Sequence, residues 1–341
     1  MTNYSLEYIW IDSNNNLRSK TKMVYDIDKR ENLIIPKWNF DGSSTNQAIG
    51  ENSDVILKPN VIFNDPFREN KKFIGLLVLC DTYDSNNIPL PSNTRYVANK
   101  IFNQNLDEEP WYGLEQEYFI IDPNSKLPIG YKDTINQGDF YCGVGTGNVF
   151  ERKIVEKHLE YCLYAGINIS GVNAEVAPGQ WEFQIGPCEG ISAGDHLWMA
   201  RYILNRLSEE FSVLIDYNPK PLKGKWNGSG CHTNFSTKNM RDGTCNNTGL
   251  EFIDQAILKL KELHNEHMVL YGEGNKERMT GKYETANYET FTDGISNRGA
   301  SIRRGLDTVK NKKGYFEDRR PSSNCDPYIV TSKIFKTTCL D

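Results

Sequence analysis

Two glutamates stand two residues apart in Gly113-Leu114-Glu115-Gln116-Glu117-Tyr118-Phe119-Ile120-Ile121, a run rich in aromatic and β-branched residues that favours a strand. Side chains alternate across a strand, so Glu115 and Glu117 face the same way and aim two carboxylates at one place. A solvated strand face would produce the same pair, and the pair alone does not separate the two. In Asn173-Ala174-Glu175-Val176-Ala177-Pro178-Gly179-Gln180-Trp181-Glu182-Phe183 a Pro-Gly turn signal divides two more glutamates. A symmetric fold there sets Glu175 directly across from Glu182. Facing carboxylates repel unless a cation lies between them, which makes the hairpin a hint of a metal, although both could splay into water.

Trp226-Asn227-Gly228-Ser229-Gly230-Cys231-His232-Thr233-Asn234-Phe235-Ser236 opens with small residues and ends extended, placing His232, Asn234 and Ser236 on one polar face. A lone histidine is commonly a satisfied core residue, but glycines beside this one permit close approach of a ligand. His264 and His267 lack the spacing of a His-Glu-x-x-His zinc site and are expected to be structural. Arginines concentrate in Asn297-Arg298-Gly299-Ala300-Ser301-Ile302-Arg303-Arg304 and in Gly314-Tyr315-Phe316-Glu317-Asp318-Arg319-Arg320-Pro321. Guanidinium forks grip phosphate and carboxylate bidentately; a surface ion-pair network is the alternative. The sequence has neither a Gly-x-x-x-x-Gly-Lys-Ser/Thr loop nor a kinase-type glycine loop, so any ATP would be held through metal ions and arginines. These residues point to a phosphoryl-transfer metal site without naming its substrate.

The elements that must carry them divide in two. From Tyr4 to about Tyr25, and again from Phe73 to Cys80, β-rich runs are separated by turn clusters such as Ser13-Asn14-Asn15-Asn16, as in a small sheet domain. Asp81 to Asn93, with Pro89, Pro91 and several Asn and Ser, reads as a linker. Beyond it strands mix with three helices. One is predicted over Glu151 to Ala165, with Ile154, His158 and Cys162 on one face and Gly166 as its stop. Another starts at Ser192 as N-cap, with Met199, Ile203, Leu207 and Phe211 at helical spacing, and a third spans roughly Leu250 to Tyr271. No internal repeat interrupts the larger part, which reads as one α+β unit.

Composition bounds the rest. With 341 residues, 38% hydrophobic and 11% aromatic, the chain can bury one large core or two modest ones. A net charge of −6 with dispersed lysines and arginines argues against nucleic acid or a membrane surface as the main partner. The first thirty residues lack the pattern of a secretory signal and no window approaches eighteen apolar residues, so a cytoplasmic address is expected. Cysteines 80, 142, 162, 188, 231, 245, 325 and 339 include no Cys-x-x-Cys pair, which suggests free thiols. Asn-x-Ser/Thr triplets such as Asn234-Phe235-Ser236 would then be idle.

Taken as a set, these segments together with Trp38-Asn39-Phe40-Asp41-Gly42-Ser43-Ser44-Thr45 and Trp181-Glu182-Phe183-Gln184-Ile185-Gly186-Pro187-Cys188-Glu189-Gly190 resemble glutamine synthetase of the eukaryotic type, from about Tyr4 to the C-terminus. The resemblance implies an α+β fold: a small N-terminal β-grasp-like domain, residues 1–86, and a catalytic domain, residues 87–341, with a curved antiparallel sheet and flanking helices. It implies ligation of ammonia to glutamate through γ-glutamyl phosphate, with ATP as cosubstrate and two or more magnesium or manganese ions. Glu117, Glu175 and Glu182 would hold one ion, and Glu115, His232 and Glu317 the other. Nucleotide contacts would come from Glu115, Asn234, Ser236, Arg298, Arg303 and Tyr315. Glutamate would meet Glu175, Asn227, Gly228, Arg278, Arg298 and Arg319. Asp41 as general base, Ser44 and Glu284 would take the ammonium, and Glu284 rides on the flap Arg278-Met279-Thr280-Gly281-Lys282-Tyr283-Glu284-Thr285-Ala286-Asn287.

The family forms two stacked pentameric rings with active sites between neighbours, so a homo-oligomer is implied, with no nucleic-acid or membrane partner. Two departures stand out: Tyr283 replaces the family's His before Glu284, and Arg304-Gly305-Leu306 replaces its Ile-Pro-Arg. Rival readings are a ligase that captures a polyamine, and an inactive structural assembly. Asp41 and Glu284 give the amine site a charge suited to a small cation and oppose the first. Retention of the six ligands, Asp41 and the arginines opposes the second.

Overall fold

The computed structural model describes residues 2–68, 72–132 and 137–341, and the chain divides into two compact units. The first comprises residues 1–97 and 160–167. Its sheet is built from β1 (Thr2–Ile11), β2 (Leu17–Ile27), β3 (Trp38–Asp41), β4 (Asp54–Asn64) and β5 (Ile74–Tyr83) in the order β2-β1-β5-β4-β3. Only β1 and β5 run parallel. Period-two alternation explains its core: Tyr4, Leu6, Tyr8 and Trp10 of β1 share a face and pack with Phe40, Leu57, Leu76 and Val78. Trp10 stacks on Phe40 at 4.4 Å between centroids. Ile9, Leu77 and Leu79 are buried as well. Residues 160–167 reach this unit, where Tyr161 packs edge-on against Phe67 and the Tyr164 carbonyl accepts from Asn64.

The second unit, residues 98–159 and 168–341, holds the mixed sheet that carries the candidate site. Its strands are β6 (Trp111–Ile121), β7 (Ile169–Ala174), β8 (Gln180–Glu189), β9 (Leu214–Asp216), β10 (Cys231–Ser236), β11 (Asp293–Ile295), β12 (Ile302–Arg304) and β13 (Phe316–Asp318). The order is β11-β12-β13-β10-β6-β8-β7, with β9 beside β6, and only β11 and β12 pair in parallel. Helix Ser192–Phe211 packs on β6 and β8 through Leu197, Ala200, Ile203 and Leu204, none of them exposed. From the same helix Arg201, buried, donates to the Gln116 side chain and to the carbonyls of Ser323 and Cys325, tying three separate segments together. Among the described residues no helix is long and apolar enough to cross a membrane.

Helix Arg152–Ala165 forms as the periodicity predicts, with Ile154, His158 and Cys162 fully buried and Gly166 at φ +86° ending it. Two other helical readings are corrected. Ser192 does not cap its helix: its Oγ donates to the Glu189 carbonyl, and Ile191 takes the cap position with helical dihedrals. The predicted helix Leu250–Tyr271 is two helices, Gly249–Glu262 and His264–Leu270, parted at Leu263. The first starts on a capping box between Thr248 and Glu251. After the break His264 bonds the Tyr288 carbonyl and Arg320, and His267 bonds Tyr271 and Thr337. Both histidines are therefore structural.

Arg320 and Asp318 form an ion pair with both side chains wholly buried. Asp318 also accepts from the Tyr271 hydroxyl at 2.8 Å. Burial opposes the charge on Asp318, yet Arg320 and these donors hold its carboxyl below the ordinary aspartate range. A depressed folded-state pKa contributes stability at neutral pH that is lost only as acid protonates the group. Asp318→Ala strands a buried guanidinium, and chemical denaturation near neutral pH should show stability reduced by about 3–5 kcal/mol. A loss below about 1 kcal/mol would show that water or a neighbour compensates Arg320.

Candidate active site

Strand pairing assembles the acidic cluster. His232 of β10 lies opposite Glu115 of β6, and Glu117 of β6 lies opposite Glu182 of β8. Glu317 of β13 pairs with Asn234 of β10. Four adjacent strands thus present Glu317, His232, Glu115, Glu117 and Glu182 toward one cavity of about 540 Å³. His232 Nδ1 lies 3.5 Å from Glu115 and 3.6 Å from Glu317, and its Nε2 lies 3.9 Å from Glu117. Two sets, Glu115-His232-Glu317 and Glu117-Glu182-His232, have ligand atoms within 4.8 Å of one another.

The hairpin register differs from the symmetric fold expected of it. Asn173, not Glu175, faces Glu182, and Glu175 donates its N–H to the Gln180 carbonyl. Pro178 and Gly179 occupy the centre of a tight turn closed by Gln180 N–H to Ala177 O, with Gly179 at φ +66°. The turn sits where the symmetric fold puts it, but the ladder beyond it pairs Glu175 with Gln180 rather than with Glu182, which moves the register by two residues. The directly opposed carboxylates are therefore Glu117 and Glu182. Glu175 still lines the cavity, its carboxylate held by Asn173 at 3.0 Å.

Burial dominates the electrostatics. It pushes the carboxyls of Glu117, Glu175 and Glu182 up to about 8, and their mutual repulsion adds to it. His232 is pushed far below its ordinary value by burial and then by Arg319, which keeps its imidazole neutral and able to ligate. Opposed carboxylates around a neutral imidazole form a donor set dominated by hard oxygen, suited to a divalent cation of the magnesium or manganese kind. Arg303 and Arg319 donate to opposite oxygens of Glu317 at 2.8 and 2.6 Å.

Arg298, Arg303, Arg319 and Glu284 line the same cavity. A small recess of about 30 Å³ adjoins it, lined by Asn227, Gly228, Arg278, Tyr283 and Glu284 and sharing Glu117, Glu175, His232 and Arg319 with it. Arg278 is buried, with Nη2 donating to the carbonyls of Arg319, Arg320 and Pro321, so much of its fork supports the wall. A second, mostly apolar cavity of about 550 Å³ is lined by Asn234, Ser236, Tyr315, Ile185 and Pro187, and it meets the acidic one at Glu115 and Gln184. Sequence reasoning missed four residues. Gln184 lies two positions after Glu182 on the same strand and hydrogen-bonds its carboxylate, a signal that was there to read. Trp111, with Arg241 3.9 Å over its ring, borders the apolar cavity. Gln137 donates to Asn227 at 2.6 Å, across a sequence separation that no local pattern announces.

Asp41 and Ser44 belong to the first unit. Asp41 is exposed and accepts from Ser43 and, at 2.8 Å, from the Ser44 hydroxyl. The Ser43 and Ser44 hydroxyls hold its carboxyl below the ordinary range. Arg304, at one of the two sequence departures, forms ion pairs with Asp254 and Asp293.

Raised carboxyl pKa values fix the sign of a pH effect. Glu117, Glu175 and Glu182 bind protons more tightly folded than unfolded, so in chelator the protein should lose stability as pH rises from about 5 to about 8. Magnesium or manganese should raise the melting temperature more at the upper end of that window than at the lower. A metal-induced shift that does not change with pH would separate the cation from these carboxyls.

Comparison with known proteins extends over both units. The family model of the glutamine synthetase catalytic domain matches residues 92–339, and that of the glutamine synthetase β-Grasp domain matches residues 4–85. A putative glutamine synthetase of Acanthamoeba polyphaga mimivirus is 53% identical, covering 98% of this chain and 94% of its own. Glutamine synthetase of Agaricus bisporus is 52% identical, and glutamine synthetase cytosolic isozyme 2 of Vitis vinifera 54%, each covering 98% of this chain and 93% of its own. Matches of this length and identity place the chain in the glutamine synthetase family.

Proposed function

We propose that this chain is a glutamate–ammonia ligase that makes glutamine at the expense of ATP through γ-glutamyl phosphate. One observation carries the reading: an apolar cavity fit for a base and ribose opens at Glu115 onto an acidic chamber rimmed by Arg298, Arg303 and Arg319. The names of the relatives, glutamine synthetases in each case, support it.

A free carboxylate is too poor an electrophile for ammonia. Attack of the glutamate γ-carboxylate on the γ-phosphorus breaks the bond to ADP and installs a leaving group; ammonia then attacks the acyl carbon and phosphate departs. Asn234, Ser236 and Tyr315 take the nucleotide, with Glu115, Arg298 and Arg303 toward its phosphates. Glu175, Asn227, Gly228, Arg278, Arg298 and Arg319 form the glutamate pocket. Glu117, Glu175 and Glu182 would hold one divalent ion and Glu115, His232 and Glu317 another. Bound magnesium or manganese would supply charge neutralisation to the phosphate oxygens.

Asp41, Ser44 and Glu284 receive the ammonium. A carboxylate held ionised by two serine hydroxyls binds a cation well and is a weak base. Ammonium has no lone pair, so it passes one proton to Asp41 before the resulting ammonia attacks the acyl carbon. Residues 1–86 form the β-grasp-like domain in this reading, and its Asp41 completes the site of a neighbouring subunit in a homo-oligomer, a decamer of two pentameric rings. Residues 87–341 form the catalytic domain. A cytoplasmic setting is consistent with the Vitis vinifera relative, named as a cytosolic isozyme.

The test is phosphate release from ATP with glutamate and magnesium, comparing ammonium, hydroxylamine, putrescine and no amine. Ammonium should stimulate release at least about tenfold with glutamine as product, and putrescine should not. Preference for putrescine would favour the amine-ligase alternative, and silence with every amine in a folded oligomer the structural one. Asp41→Ala should reduce amide formation by about 10²-fold while sparing glutamyl phosphate formation, since the base acts after phosphoryl transfer. Equal losses in both steps would remove Asp41 from that role.

A further inference from the structure

Segment 278–287 borders the small recess and carries an unusual backbone. Tyr283 and Glu284 are consecutive non-glycine residues at φ +57° and +60°. Side chains with a β-carbon rarely enter this region, and they stay there only where the surroundings hold them. Each docks on the loop that precedes β10. Lys220 is 7% exposed; its Nζ donates to the Trp226 carbonyl, and it stands 5.3 Å from the centre of the Tyr283 ring. That separation is within cation–π range, and burial strengthens such a contact. One residue on, Asn227 donates to the Glu284 carboxylate and Arg319 to the Glu284 carbonyl, both at 3.3 Å. Gln137 fixes Asn227 in turn.

We propose that Lys220 and Tyr283 are positioning residues, a clamp whose ammonium–ring contact holds the left-handed pair 283–284 against the 217–230 loop and so aims the Glu284 carboxylate into the acidic chamber. The energetic logic is local. Thr285 closes the turn on itself, its hydroxyl donating to the Lys282 and Arg278 carbonyls at 2.8 and 3.2 Å. Residues 283–284, by contrast, are tied to their surroundings by two long hydrogen bonds from Asn227 and Arg319 and by the Lys220–ring contact, so loss of that contact loosens their docking. The functional half of the inference rests on the ligase reading. With the clamp released, water reaches the acyl carbon in place of ammonia, the bond to phosphate breaks, and glutamate and phosphate leave without glutamine.

Two measurements on Tyr283→Ala, Tyr283→Phe, Lys220→Met and the unaltered oligomer decide it. Lys282 is exposed, so trypsin can reach its side chain and cuts the Lys282–Tyr283 bond only when the turn opens. The Ala and Met variants should be nicked there about tenfold faster than the unaltered protein, and the Phe variant, which keeps the ring, at the unaltered rate. Equal rates in all four proteins overturn the clamp whatever the activity. Glutamine formed per phosphate released should stay near unity in the Phe variant and fall below about one half in the other two. An unchanged ratio overturns the role in coupling. If the unaltered protein releases no phosphate on addition of ammonium, the ligase reading fails, and the tryptic rates still judge the clamp.

Discussion

Repulsion among carboxylates confined to one face of four adjacent strands is the constraint on which the candidate site depends. Glu117 and Glu182 are directly opposed across β6 and β8, and Glu115 and Glu317 flank His232 from the two strands that adjoin β10. A fold does not keep such groups buried for its own stability, because like charges facing each other across a sheet weaken it. Protonation relieves that repulsion in part, and a cation between them would relieve it further. Here the positive charge comes partly from the protein itself. Arg303 and Arg319 grip Glu317 from two sides, while Glu117 accepts from the Gly230 amide.

The sheet meets this demand through its register. Each of these side chains sits at a different strand position, and the strands are held by buried polar ties such as Arg201. Arg278 extends the same principle into the loops. Its guanidinium holds three successive carbonyls, 319 to 321, and so shapes the chain immediately after β13. Precision at the site is therefore borrowed from contacts that never face the cavity.

Much of this was legible in the sequence, and the limits are physical. Glu115 and Glu117, and likewise His232, Asn234 and Ser236, follow from period two once a strand is granted, and the structure brings all of them to the cavity walls. Partnering across strands was not legible. Pro178-Gly179 announced the turn, but not that the ladder beyond it would pair Glu175 with Gln180, and that two-residue shift gave Glu182 the partner Asn173 in place of Glu175. Ser192 failed as a cap because a serine hydroxyl serves equally as donor to the preceding turn. The break at Leu263 left no breaker residue in the sequence; it answers to tertiary partners of His264 and His267 that lie far along the chain.

Glu115 and Gln184 belong to the walls of both large cavities. A shared wall couples the two chambers: whatever neutralises Glu115 from the acidic side changes the potential on the apolar side. By linkage the effect must be equal in both directions. Order of binding then need not be imposed by any moving part. Any two ligands that touched this carboxylate, one from each chamber, would change one another's affinity by the same factor.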